Sequence, residues 1–240
     1  MRLSAPIHVL KRQARRMSRE HGIALHSALD RIAIAEGYSS WSLLSDRAPE
    51  PVEVFHDSLQ PGELVLVAGR PGFGKTMTGL RLALLSMKAG RDAAFFTLEY
   101  SEREVSDRFR KLGSDPAAFA HLFTLDMSDG ISAAHVEDRL AGKPAPTLCV
   151  IDYLQLLDQR RQNPPLDEQM TQLKHFAGAS GHIFVLLSQI DRSYDGDRKA
   201  CPDLSDVRLP NPVDLRVFDR TCFIGKDRMR FGNAVAASIG

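Results

Sequence analysis

Eight consecutive residues, Gly69, Arg70, Pro71, Gly72, Phe73, Gly74, Lys75 and Thr76, satisfy the pattern GxxxxGK[ST] in full. The spacing has a chemical reason. Glycines let successive backbone N–H groups curl around phosphate oxygens, the lysine reaches the β- and γ-phosphates, and the threonine hydroxyl is a magnesium ligand. Met77 continues into an apolar-periodic segment, so the positive end of the following helix also faces the anion. The expected ligands are ATP and Mg²⁺, with the contacts running from Gly69 to Met77. A glycine turn before a helix is the bland alternative, but the apolar run Leu64-Val65-Leu66-Val67 just upstream supplies the strand such a loop requires.

Phosphate chemistry needs carboxylates as well. Leu148-Cys149-Val150-Ile151-Asp152 is an apolar strand ending in an acid, suited to orient magnesium through water. Phe95-Phe96-Thr97-Leu98-Glu99 is a second, and Glu99 is the candidate to position the attacking water. The alternative for Glu99 is a solvated residue before a helix, since Ser101 and Glu104 form an S-x-x-E capping box. Val185-Leu186-Leu187-Ser188-Gln189 ends a third strand in an amide. Gln189 reads either as a γ-phosphate sensor or as a plain strand terminus.

Short apolar runs alternate with helical patterns from residue 61, which argues for βαβ units and a parallel sheet. Strands are predicted at 63–68, 93–98, 122–125, 147–153, 182–188 and 221–224, with helices at 75–89, 102–112, 133–141 and 166–179. The fold class is α/β, with a mainly parallel sheet flanked by helices over 61–240, and with its P-loop this domain resembles the RecA-like type. In such a sheet the strand ending in Glu99 is expected beside the P-loop strand. Residues 1–47 read as a small helical module, with Ile7, Leu10, Ala14 and Met17 at helical spacing. Residues 48–60, entered through Arg47-Ala48-Pro49-Glu50-Pro51, read as a linker. Residues 191–213 read as a long polar surface loop whose Arg192, Arg198, Lys199 and Arg208 are candidate contacts for single-stranded DNA. Aspartates interleave with them, so a solvated loop is the competing reading. The basic run Lys11 to Arg19 is likewise a solvated face or a nucleic-acid contact.

The 240 residues are 43% hydrophobic and 25% charged with a net charge of +1, so any nucleic-acid affinity must be local. Three cysteines without a CxxC pair argue against a disulfide framework or zinc site. No apolar run approaches the ~20 residues of a membrane span, and the N-terminus lacks a secretory apolar region. The expected location is cytoplasmic, with no membrane partner.

The series GRPGFGKT, FFTLEYSEREVSDRF, LCVIDYLQLL, LKHFA, VLLSQIDR, PDLSDVR and KDR resembles, in order and spacing across residues 61–232, the motor domain of DnaB-type replicative helicases. The resemblance implies ATP hydrolysis coupled to movement on single-stranded DNA in a homo-oligomer, a hexameric ring in that family. It implies that Lys75 and Thr76 hold phosphate and magnesium, that Glu99 is the catalytic carboxylate and Asp152 the second acidic motif, and that Gln189 senses the γ-phosphate. It also implies that Lys226 and Arg228 enter the neighbouring subunit's site, Arg228 as the finger. The family's R-E-S-G stretch is replaced here by residues around Leu209-Pro210-Asn211-Pro212. The family's large N-terminal domain has no counterpart in 1–47, whose partner is unknown. A RecA-fold ATPase acting as a switch or loader, and a nucleotide-stabilised adaptor, are the alternatives.

Overall fold

The computed structural model describes residues 3–5, 7–47, 50–154, 157, 163–191, 193, 194, 199, 201–207, 213–226 and 228–233. The chain divides into two compact units, Met1–Glu50 and Pro51–Gly240.

The first unit contains helices α1 (Ile7–His21), α2 (Leu25–Ala35) and α3 (Trp41–Arg47). Leu10, Ala33 and Leu44 form its core, with Ile7, Ile32, Tyr38 and Trp41 packed around them. The Asp30 carboxylate accepts a hydrogen bond from the Trp41 N–H at 2.8 Å, satisfying one of the free donors that open α3.

The second unit is a seven-stranded sheet in the order β3-β2-β4-β5-β1-β6-β7. Its strands are β1 (Leu64–Gly69), β2 (Ala93–Thr97), β3 (Phe123–Asp126), β4 (Leu148–Asp152), β5 (Ile183–Gln189), β6 (Arg220–Ile224) and β7 (Met229–Asn233). All neighbours pair in parallel except β6 with β7, which form an antiparallel hairpin. The helices are α4 (Pro51–Ser58), α5 (Lys75–Lys88), α6 (Glu102–Lys111), α7 (Ala133–Leu140) and α8 (Leu166–Ser180). Successive residues of a strand face opposite sides, and both sides are covered. Leu64, Leu66 and Ala68 of β1 belong to the core under α7 and α8, while Val65 and Val67 belong to the core under α4, α5 and α6. Two covered faces are why the central strands read as continuous apolar runs. At Gly79 on α5 a Cβ would lie 2.9 Å from Val150 Cγ1, so this helix approaches the sheet more closely than a side chain allows.

The predicted strands and helices all form, within one or two residues at their ends. Three expectations need correction. The strand ending in Glu99 does not neighbour the P-loop strand: β1 lies between β5 and β6, and β2 lies between β3 and β4. Within the expected linker, residues 51–58 form α4, because proline is compatible with the first position of a helix, where its missing N–H is not needed. Phe55 of α4 is buried and stacks on Phe231 of β7 at 4.7 Å, and Glu53 pairs with Arg81 of α5 at 3.3 Å. The expected surface loop after β5 is partly packed: Tyr194 and Cys201 are buried, and Leu204–Asp206 form a 3-10 turn.

Candidate nucleotide-binding site

The parallel strands β1, β2, β4, β5 and β6 deliver their last residues to one edge of the sheet. Thr97, Asp152, Leu187, Val67 and Cys222 lie in register across it, and Gln189, Gly69 and Ile224 align two residues further on. An open parallel sheet binds ligands at this carboxyl edge. The loop from Gly69 crosses it and enters α5 through Gly74, whose φ of +88° is a left-handed conformation that residues with a Cβ rarely adopt.

Lys75 is buried, with its ammonium donating to the Arg70 carbonyl at 3.1 Å. Burial lowers its pKa, opposed by the carboxylates of Asp152 and Glu99, so all three charges share one site. Asp152 is buried at the end of β4. Burial pushes its carboxyl up to about 6 and Glu99 adds to this, against the pull of the Thr76 hydroxyl, Lys75 and Arg108. Its Oδ2 is fully enclosed and has no hydrogen-bond partner. An orphaned carboxylate oxygen beside a lysine and a threonine hydroxyl is what a hydrated divalent cation would satisfy, so the residues present fit Mg²⁺.

Glu99 is exposed just beyond β2. The Ser101–Glu104 capping box is formed by those two side chains, leaving Glu99 outside the cap. Gln189 closes β5 opposite Gly69. Lys226 and Arg228 lie in the turn joining β6 to β7, which is closed by a hydrogen bond from the Gly225 N–H to the Arg228 carbonyl at 2.9 Å, and both side chains are exposed. This turn stands at the same sheet edge, one strand from the P-loop.

Two residues escaped the sequence reading. The Tyr100 hydroxyl lies 3.4 Å from the Thr76 hydroxyl, and the Arg108 guanidinium sits 3.8 Å over the Tyr100 ring. Both fall within the FFTLEYSEREVSDRF string, but nothing in their spacing relates them to Thr76. Of the four DNA candidates, Arg192, Arg198 and Arg208 lie outside the described residues. The Lys199 ammonium is 2.6 Å from both Asp203 and Asp206. Among the described residues no helix is long and apolar enough to cross a membrane.

Comparison with known proteins agrees with this geometry. The chain is 23% identical to "Replicative DNA helicase DnaB" of Leifsonia xyli subsp. xyli, over 74% of this chain and 47% of that protein. It is 25% identical to the protein of the same name from Rickettsia prowazekii, over 67% and 40% respectively. It therefore spans less than half the length of these relatives. A solved DnaB-like replicative helicase, described with its interactions with primase, superposes with a TM-score of 0.57 at 19% identity, covering 72% of this chain and 54% of that one. That likeness bears out the RecA-like fold, and the relatives bear out the resemblance to DnaB-type helicases. The family model "ATPase: KaiC" matches residues 52–201, beginning within α4 and including the P-loop, Glu99, Asp152 and Gln189, and the chain therefore belongs to this KaiC-type ATPase family.

Proposed function

We propose that this chain is the motor domain of a DnaB-like, helicase-type ATPase that hydrolyses ATP with Mg²⁺ as a homo-oligomeric ring on single-stranded DNA in the cytoplasm. The observation that carries the ATP chemistry is the meeting of Lys75, Thr76 and the orphaned Asp152 carboxylate at one sheet edge. Mg²⁺ held by Thr76 and, through water, by Asp152 would neutralise charge on the β- and γ-phosphates. The backbone of Gly69 to Met77 binds the phosphate chain, and Lys75 screens the oxygens nearest the γ-phosphate. Glu99 orients the attacking water and accepts its proton, which suits an exposed carboxylate that other contacts leave available. Gln189 meets the γ-phosphate from the β5 end.

Arg228, with Lys226 beside it, serves the neighbouring copy's site. A trans arginine adds on the order of 10³–10⁵ in rate by neutralising transition-state charge. The DNA strand is contacted by the segment bearing Arg192, Arg198 and Arg208, in which Lys199 is held by Asp203 and Asp206. The DnaB-named relatives support the motor and DNA parts of this reading.

The test is Mg²⁺-dependent ATPase activity with and without a single strand. Lys75→Ala should lose ATP binding, whereas Glu99→Gln should bind ATP but not hydrolyse it, and the parent should be stimulated by the strand. Hydrolysis by Glu99→Gln at the parent rate refutes its role. ATPase activity indifferent to DNA, with no strand displacement, refutes the motor while leaving the ATPase.

A further inference from the structure

We infer that helix α1 of the N-terminal unit is a binding surface for the phosphodiester backbone of duplex DNA. Lys11, Arg12, Arg15, Arg16 and Arg19 all project from α1 and are all exposed. Leu10 and Ala14, on the opposite stripe, are 1% and 0% exposed in the core of this unit. The helix has thus committed its apolar side inward and turned an unbroken row of cations outward.

Among the described residues that row is not balanced by acids. Arg16 reaches Glu20 at 3.6 Å, and among the described residues no carboxylate pairs with Lys11, Arg12, Arg15 or Arg19. Lys11 and Arg15, Arg12 and Arg16, and Arg15 and Arg19 are each four residues apart, the spacing at which like charges on a helix repel. A merely solvated face gains nothing from such an arrangement. Elsewhere in this chain basic residues are interleaved with acids, as Lys199 is with Asp203 and Asp206.

The chemistry of the row selects its partner. Four of the five cations are arginines, whose planar guanidinium groups bind phosphate oxygens in pairs. From Lys11 to Arg19 the helix rises about 12 Å, and a duplex offers one phosphate charge per ~1.7 Å of axis, about seven over that length. A rigid helix with two rows of cations matches a rigid, evenly charged polymer, and at ~10–12 Å across it fits a major groove about 12 Å wide. An anionic membrane is the poorer partner, because a helix that lies in a membrane interface needs a free apolar face, and that of α1 is already used.

This inference does not rest on the motor reading, so the full-length Lys75→Ala variant is the right background, measured without nucleotide. Its affinity for a duplex and for a single strand of equal length is followed by fluorescence anisotropy between roughly 50 and 200 mM salt. We expect duplex binding that is indifferent to sequence. Adding Arg12→Gln, Arg15→Gln and Arg19→Gln should lower the salt slope by about 2.7, at ~0.9 per lost phosphate contact. Over that fourfold rise in salt the background protein should then lose roughly 40-fold more affinity than the triple variant. Replacing the same three arginines by lysine keeps the charge and should keep the slope, and a thermal melt of each variant checks that the fold is intact. The inference is overturned by absence of duplex binding at low salt, or by a folded Gln variant with the parental slope. It is equally overturned by preferential binding to the single strand, or by binding only to anionic vesicles.

Discussion

Replacing Asp152 by Asn should make the nucleotide-free protein more stable while destroying its use of magnesium. Asp152 is 2% exposed, and its carboxyl is raised from 3.8 to about 6, chiefly by burial. An acid whose folded pKa lies above its unfolded pKa binds its proton more tightly when folded. Its ionised form therefore costs stability progressively as pH rises from about 4 to about 6, and by a constant amount above that. A shift of roughly two units at ~1.4 kcal/mol each gives a cost of about 3 kcal/mol at neutral pH. An amide has nearly the same shape and no charge, so Asp152→Asn should recover most of that cost. For a domain of this size the melting temperature should rise on the order of 5–10 °C. The assay is thermal or urea unfolding of both proteins in a chelator, from about pH 4 to pH 8. The difference between them should be near zero at the acid end, grow to pH ~6 and then level off. With Mg²⁺ and ATP at ~100 times the dissociation constant the parent gains about 2.7 kcal/mol by linkage and the variant far less, so the gap should close. A variant no more stable than the parent at pH 8 in chelator, or a difference that ignores pH, refutes the assignment of Asp152 as a strained, functional carboxylate.

Arg228→Ala and Lys75→Ala should each be inactive in ATP hydrolysis but recover activity when mixed, because a mixed interface can pair an intact P-loop with an intact Arg228. A mixture that stays inactive although the two proteins co-assemble removes Arg228 as a trans finger. Tyr100→Phe removes the hydroxyl 3.4 Å from Thr76 and keeps the ring beneath Arg108. It should change the magnesium concentration needed for half-maximal ATPase activity by a few-fold, and an unaltered magnesium titration counts against any role for that hydroxyl. Gln169 is wholly buried and binds the Leu157 and Pro164 carbonyls and the Ala133 N–H at 2.6, 2.8 and 2.9 Å. Gln169→Ala takes this partner from the Pro164 carbonyl and the Ala133 N–H, while the Leu157 carbonyl keeps its bond from the Asn163 amide at 2.9 Å, and should cost about 2–4 kcal/mol in urea unfolding.

Fold class and the core of the site were legible in the sequence because both depend on local signals. A P-loop is a contiguous backbone device, so eight residues sufficed to locate it. Strands buried on both faces must be continuously apolar, so β1, β2, β4, β5 and β6 could be read with the terminal residues Asp152 and Gln189 attached. The Ser101–Glu104 capping box likewise formed as the local pattern S-x-x-E implies.

Tertiary structure decided what depends on partners distant in the chain. The order of the strands is one case: adjacency in sequence suggested that β2 lies beside β1, yet β4 and β5 intervene. Glu99 therefore shares the site with Lys75 without its strand adjoining the P-loop strand. α4 was hidden because Pro49 and Pro51 look like breakers until Pro51 is seen at a helix start, and because its hydrophobic partner Phe231 lies far along the chain. β7 was hidden because an edge strand with largely exposed side chains needs no apolar run, only the free hydrogen-bonding edge of β6. The charge on a side chain is legible in sequence, but its availability is not. Lys11 to Arg19 and Lys199 look alike as letters, and only the fold spends Lys199 on Asp203 and Asp206 while leaving the cations of α1 facing solvent.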